Sequence, residues 1–204
     1  YLTRPPKRSD VLSVFAGLRP LAAPRSEGKK TKEISRSHKL IREKSGLITI
    51  IGGKWTTYRK MAQDTLDLAI RYMHIPTKDC ITERYQIHGS RKNPDFSDPL
   101  YVYGTDADEI RNLVASSPAM AEKLHPDYAY TVGEVTWLVR NEMPRTLEDV
   151  LARRLRILFL DARAAMAMAP KVAGILATEW GKDETWTSAQ VKAFNEVASN
   201  YILN

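Results

Sequence analysis

The residues best suited to chemistry are Gly52-Gly53-Lys54-Trp55-Thr56-Thr57, between the apolar run Leu47-Ile48-Thr49-Ile50-Ile51 and a helix-forming stretch. The order reads as a strand, a glycine turn and a helix start. Glycines carry no Cβ, so a flat or bulky ligand can approach the backbone. A helix start offers unpaired N–H groups and the positive end of a dipole. Such a junction suits a phosphate, an oxyanion or the electron-rich carbonyl of a flavin ring. A purely structural β-turn-α junction is the alternative reading. A phosphate-binding Gly-x-x-x-x-Gly-Lys-Ser/Thr loop is not present, because Ile48 stands five residues before Gly53 and Trp55 follows Lys54.

A second anion-binding candidate is Arg19, in Phe15-Ala16-Gly17-Leu18-Arg19-Pro20-Leu21. A guanidinium fixed by a following proline can grip phosphate oxygens with two parallel bonds, or serve as a surface ion-pair member. Arg145, Arg153, Arg154 and Arg156 form a third basic group. Arg153 and Arg156 are three apart, a spacing that shares a helix face. Ion pairing is the expected role, with contact to a phosphate or a domain junction as the alternative. His38, His74, His88 and His125 are read as surface or packing histidines. Trp137, Trp180 and Trp186 sit at helical apolar positions and are expected in the core, with a quinone or partner surface as the alternative. No metal site is assigned.

The elements that must hold these residues follow from pattern. Val11 to Leu18 is apolar and partly β-branched, which predicts a strand stopped by Pro20. Residues 24–36 are polar and basic, a loop. Lys39-Leu40-Ile41-Arg42 and Leu47 to Ile51 flank Glu43-Lys44-Ser45-Gly46, which predicts a hairpin. The second run is apolar on both faces, as in a central buried strand. Tyr58, Met61, Ala62, Thr65, Ala69, Tyr72 and Met73 fall on one helical face, and Pro76 ends that helix. Residues 81–104 read as a linker, with a short extended piece around Arg84-Tyr85-Gln86-Ile87. From residue 105 the pattern is helical. Thr105-x-x-Asp108, Thr146-x-x-Asp149 and Thr187-x-x-Gln190 resemble capping boxes. Residues 161–180 predict one long helix, kinked or split at Pro170. A last helix carries Val191, Phe194, Ala198, Tyr201 and Ile202 on one stripe.

Composition bounds the partners. With 43% hydrophobic and 27% charged residues, the 204-residue chain is an ordinary folded protein of one large or two small domains. No apolar run reaches the length of a spanning helix. Cys80 is the single cysteine, so no intrachain disulfide forms, as in a reducing compartment. Tyr1-Leu2-Thr3-Arg4 has no Met and no signal core, and reads as a cut inside a longer protein. The net charge of +7 is unevenly spread: residues 1–60 hold 15 Lys/Arg against 4 Asp/Glu, and the remainder is net acidic. The basic N-terminal part would attract nucleic acid, an anionic membrane or a phosphorylated small molecule, or would simply be a solvated face.

Four segments in order carry a resemblance: Ala16-Gly17-Leu18-Arg19-Pro20-Leu21, Ser35-Arg36-Ser37-His38, the run from Gly46 through Gly52-Gly53-Lys54-Trp55-Thr56-Thr57-Tyr58-Arg59 to Ala62, and Met143-Pro144-Arg145-Thr146-Leu147-Glu148-Asp149-Val150-Leu151-Ala152-Arg153-Arg154. Together they are similar to the C-terminal half of FAD-dependent glycerol-3-phosphate dehydrogenases. The resemblance implies oxidation of sn-glycerol 3-phosphate to dihydroxyacetone phosphate, with hydride passing from C2 to flavin N5 and electrons then to a quinone or another acceptor. It implies Arg19 and Lys54 as substrate contacts. It implies Gly52, Gly53, Lys54, Trp55, Thr56 and Thr57 as the cofactor-binding set, their backbone facing the pyrimidine end of the flavin.

The expected fold class is therefore α+β, mostly α. Residues 1–80 would be a partial sheet with one helix from a truncated FAD and substrate domain, 81–104 a linker, and 105–204 a C-terminal helical bundle. No Gly-x-Gly-x-x-Gly string occurs, so this piece is expected to be inactive alone and not to retain FAD. Expected partners of the parent are sn-glycerol 3-phosphate, the electron acceptor and a membrane surface. Its place would be the cytoplasm or the inner face of the cytoplasmic membrane. An incomplete sheet exposes edges and favours homo-oligomers. The alternative is a non-catalytic basic and helical module. It would bind nucleic acid, for which no motif is present, or a membrane or protein partner.

Overall fold

The computed structural model describes residues 3–18 and 37–203. It comprises two compact units, one of residues 17–87 and one of residues 1–16 with 88–204. The described residues are mostly helical, with one small sheet among them.

In the unit of residues 17–87, β1 (His38–Arg42) and β2 (Ile48–Gly52) pair antiparallel, His38 opposite Gly52 and Arg42 opposite Ile48. The Ser45-Gly46 turn closes through Gly46 N–H to Glu43 O and Glu43 N–H to Leu47 O. β2 is half-buried along its length rather than buried on both faces. The reason is the sheet, which has two strands and so covers β2 incompletely. A 3-10 turn, Trp55–Thr57, leads into α1 (Tyr58–Met73). α1 ends at His74, whose φ of 54° is left-handed, with Ile75 N–H bonded back to Ile70 O ahead of Pro76. Arg42 stacks over the Tyr72 ring at 3.7 Å, tying hairpin to helix. The piece at Arg84–Ile87 forms no strand.

The other unit holds α2 (Ala107–Ala115), α3 (Pro118–Ala121), α4 (Val132–Asn141), α5 (Ile157–Leu160), α6 (Ala162–Trp180) and α7 (Glu184–Ser199). A π-helical stretch, Asp149–Arg154, precedes α5, with Leu155 N–H reaching Val150 O. α4, α6 and α7 each start on a side-chain cap that satisfies an otherwise unpaired N–H. Thr131 accepts from Glu134 N–H, Asp161 from Ala164 N–H and Asp183 from Trp186 N–H. The apolar core joins Ile110 of α2, Val135 and Leu138 of α4, Leu151, then Met168 and Leu176 of α6 and Phe194 of α7. α6 is alanine-rich on its buried side, and it runs unbroken through Pro170.

Further expectations are corrected. Residues 11–18 form no strand. Their polar groups are met within the helical unit, Val14 N–H donating to Tyr201 O, Leu12 O accepting from Ala162 N–H and Ser13 Oγ donating to Leu158 O. Phe15 also packs edge-on against Phe159. Of the three capping boxes only Thr146/Asp149 forms, with Asp149 accepting from Thr146 N–H at 2.9 Å and Asp149 N–H donating to Thr146 Oγ1 at 3.2 Å. Thr105 lies in a 3-10 turn, Tyr101–Asp106, and α2 starts from Asp106 instead. Thr187 is already inside α7, and Gln190 turns outward from that helix to accept from Leu147 N–H.

The segment read as a linker is structured at its end. Gly104 (φ 56°) lies against Gly89, and a Cβ there would stand 1.6 Å from Gly89 O. Thr105 N–H donates to that same carbonyl.

Candidate functional site

The turn between β2 and α1 is built by two successive left-handed glycines, Gly52 (φ 74°) and Gly53 (φ 88°). The absent Cβ of Gly53 has an internal explanation: it would lie 2.6 Å from Met61 Sδ and 3.2 Å from His38 Cβ. This glycine lets α1 close on the hairpin, so the requirement for glycine arises from packing as well as from φ. Beyond it the chain becomes open. Lys54, Trp55, Thr56 and Thr57 are all exposed, Trp55 at 89%.

Thr57 spends both its donors on Lys54 O, N–H and Oγ1 each at 3.0 Å. Trp55 and Thr56 are the first two residues of the 3-10 turn, where backbone N–H groups have no partner within the turn. Lys54 forms no ion pair among the described residues. Among the described residues these two amides and the Lys54 ammonium have no partner, and they stand together at the start of α1. This donor set fits an anion or a carbonyl-bearing ring edge.

Behind the turn, His38 Nε2 and Lys60 Nζ each contact Asp64, on separate oxygens, at 2.9 Å. The bond from Lys60, with a further one from His38, holds the Asp64 carboxyl below the usual carboxylate range. His38 is thus half-buried in an ion pair with Asp64. Its partner Asp64, 26 residues downstream, was not legible. His88 likewise pairs with Asp106 at 2.7 Å.

Arg59, next after Tyr58, binds Gln63 Oε1 at 2.9 Å, Thr82 Oγ1 at 3.1 Å and Glu83 at 3.3 Å. It straps residues 80–83 onto α1 and leaves a cleft of about 380 Å³ walled by Tyr58, Ala62, Leu66, Tyr85 and Ile87. Cys80 lines the same cleft, and its thiol is pushed below the ordinary value first by the hydrogen bond to Thr82 and further by the Arg59 charge. Sequence reasoning passed over this strap because nothing in residues 80–83 marks them as partners of a helix 20 residues earlier.

The other predicted residues separate. Arg19 lies outside the described residues. Arg153 pairs with Glu148 and Asp149. Arg154 binds the Asp149 and Glu142 carbonyls. Arg153 and Arg156 do not share a helix face, because the π-helical stretch ends at Arg154 and Arg156 has a left-handed φ of 62°. Trp137 is buried, with Nε1–H donating to Glu109 at 3.0 Å. Trp180 and Trp186 pack against the core but are only half-buried.

Residues 47–187 match the family model described as the C-terminal domain of alpha-glycerophosphate oxidase. The chain belongs to this family. The matched span of this alpha-glycerophosphate oxidase C-terminal domain covers β2, the Gly52-Gly53 turn, α1 and most of the helical unit.

Among its relatives, a mitochondrial glycerol-3-phosphate dehydrogenase of Arabidopsis thaliana is 32% identical over 98% of this chain. One of Mesocricetus auratus is 31% identical over 96% of it. The chain spans 39% of the first relative's length and 29% of the second's. Among the described residues no helix is long and apolar enough to cross a membrane, and no group of three His, Cys, Asp or Glu could hold a metal ion.

Proposed function

We propose that this chain is the C-terminal part of an FAD-dependent glycerol-3-phosphate dehydrogenase, and that the β2–α1 turn binds the carbonyl-bearing edge of the flavin. The supporting observation is the exposed cluster of the Trp55 and Thr56 N–H groups with the unpaired Lys54 ammonium. FAD, when bound, supplies the hydride acceptor for oxidation at C2 of sn-glycerol 3-phosphate. Lys54 and the two amides would hold the carbonyl-bearing edge of the ring and balance negative charge there. Gly52 and Gly53 fix the turn that presents them, and Thr57 locks it by bonding to Lys54 O. Arg19 is assigned to the substrate phosphate, where a guanidinium fork matches two oxygens.

Electrons leave to a quinone-type acceptor on this reading. The parent protein works in the cytoplasm or peripherally on the inner face of the cytoplasmic membrane, although the named relatives are mitochondrial. Sedimentation with anionic and neutral vesicles separates these two places. Alone, the 204 residues are expected to hold no FAD and show no turnover.

The test uses the complete parent protein with its flavin bound. Lys54→Ala is expected to lower kcat by about a hundredfold, the scale of removing one donor to a developing oxyanion, and to lower the flavin midpoint potential. Arg19→Ala is expected to raise KM for sn-glycerol 3-phosphate more than it lowers kcat. Wild-type turnover and potential in both variants remove the assignment.

A further inference from the structure

The helical unit carries a cleft of about 490 Å³ between the end of α4, the loop after it and the α6–α7 turn. Trp180 and Trp186 form one wall, edge to face with centroids 5.7 Å apart. Val139, Met143 and Pro144 complete the apolar lining. Met143 is 74% exposed at the rim and has a left-handed φ of 49°, a conformation that costs energy in a residue with a side chain.

Two cations, Arg145 and Lys182, also line this cleft, and neither forms an ion pair among the described residues. Three carboxylates along the same elements are occupied. Glu179 is held in a two-point pair by Arg140, Asp149 receives Arg153 and the Arg145 and Thr146 backbone, and Asp183 caps Trp186 N–H. The indole N–H groups of Trp180 and Trp186 have no partner among the described residues, whereas that of Trp137 is used. The cleft therefore combines an aromatic wall with unspent donors and positive charge.

We propose that it binds a small amphipathic anion, a flat unsaturated ring bearing one carboxylate. The ring lies on the Trp180/Trp186 wall, and the carboxylate is drawn to Arg145 and Lys182, where a planar anion matches the guanidinium fork. A neutral ring would use only the wall, and a bare inorganic anion only the cations. The site is independent of the flavin reading, which concerns the other unit.

The four tryptophans give four indole N–H signals in an isotope-labelled sample of the 204-residue chain, assigned by single Trp→Phe replacements. Titration with 1-naphthoate is expected to shift the Trp180 and Trp186 signals saturably while Trp137, which reports the core, stays still. Binding should weaken about tenfold with 1-naphthamide or in Arg145→Gln and Lys182→Gln, the loss of one charge-assisted bond, and also with inorganic phosphate, which keeps the charge but loses the ring on the wall. Because both cations are exposed, these variants retain the fold. The proposal is overturned by an absent or unsaturable shift, by an equal response of Trp55, by equal affinity for the naphthamide, or by unchanged affinity in both variants.

Discussion

Tyr103 Oη donates a 2.6 Å hydrogen bond to Glu134 Oε1 in the interior of the helical unit, joining the 3-10 turn before α2 to the first turn of α4. Trp137 packs edge-on against the same tyrosine, centroids 5.8 Å apart. Burial drives the Glu134 carboxyl up to about 7 from 4.5, while the Tyr103 bond opposes that rise. Burial also pushes the Tyr103 hydroxyl upward.

This relationship sets a pH dependence. In the folded chain Glu134 keeps its proton to about pH 7, and in the unfolded chain it loses it near 4.5. The unfolded state therefore gains from ionisation first. The contribution is fully present below pH 4.5 and is lost as pH rises through 7, amounting to at most about 3 kcal/mol. Urea unfolding at intervals from pH 4 to 8.5 should show this fall in the wild type and a flatter curve in Glu134→Gln. Equal slopes in the two proteins would remove Glu134 as the source. Tyr103→Phe withdraws the opposing bond and should move the fall to higher pH, with about 1–3 kcal/mol lost overall.

Core packing predicts a second contrast. Leu176 of α6 is fully buried, whereas Leu66 of α1 is 61% exposed. Leu176→Ala is expected to cost about 2–5 kcal/mol through lost burial and the cavity left behind. Leu66→Ala should change stability by less than about 0.5 kcal/mol. Denaturant midpoints at constant m-value measure both, and similar losses would contradict the core assigned to the helical unit.

At Gly104 the backbone itself is the constraint. An added methyl meets Gly89 O at 1.6 Å, and the φ of 56° is strained for any side chain. Gly104→Ala should cost at least about 2 kcal/mol, combining a clash that backbone must relieve with an unfavourable φ. Hydrogen exchange should report loss of protection at Thr105 N–H, which bonds to the same Gly89 carbonyl. A variant as stable as wild type would show that the two glycines do not touch.

Arg140 and Glu179 join α4 to α6 through two bonds of 2.7 Å. The Arg140 bond holds the Glu179 carboxyl below its ordinary value. Arg140→Lys keeps the charge and loses the fork, so Glu179 should titrate closer to an unperturbed glutamate by NMR. The stability change should stay below about 1 kcal/mol, because the pair is partly exposed and screened. An unmoved Glu179 titration would mean the fork is not formed in solution.

Local order along the chain determined a good deal. The hairpin around Ser45-Gly46, the helix from Tyr58 to Met73, the long helix to Trp180 and the Thr146/Asp149 box all depend on residues a few positions apart. Propensity, periodicity and capping act at that range, and the family likeness rested on runs of the same kind. The candidate turn was legible for this reason, as two glycines and a lysine between a strand and a helix.

Partners distant in sequence were settled only by tertiary structure. Residues 11–16 have the composition of a strand, yet their backbone groups are met by Tyr201 and Ala162, and the Ser13 hydroxyl by Leu158 O. At Gly53 the missing Cβ also leaves room for Met61 of α1. The Arg59 strap, the Tyr103–Glu134 bond and the Trp180/Trp186 cleft each join segments whose adjacency no local pattern encodes. Burial and pairing energies depend on which surfaces meet, and that is decided by the folded chain as a whole.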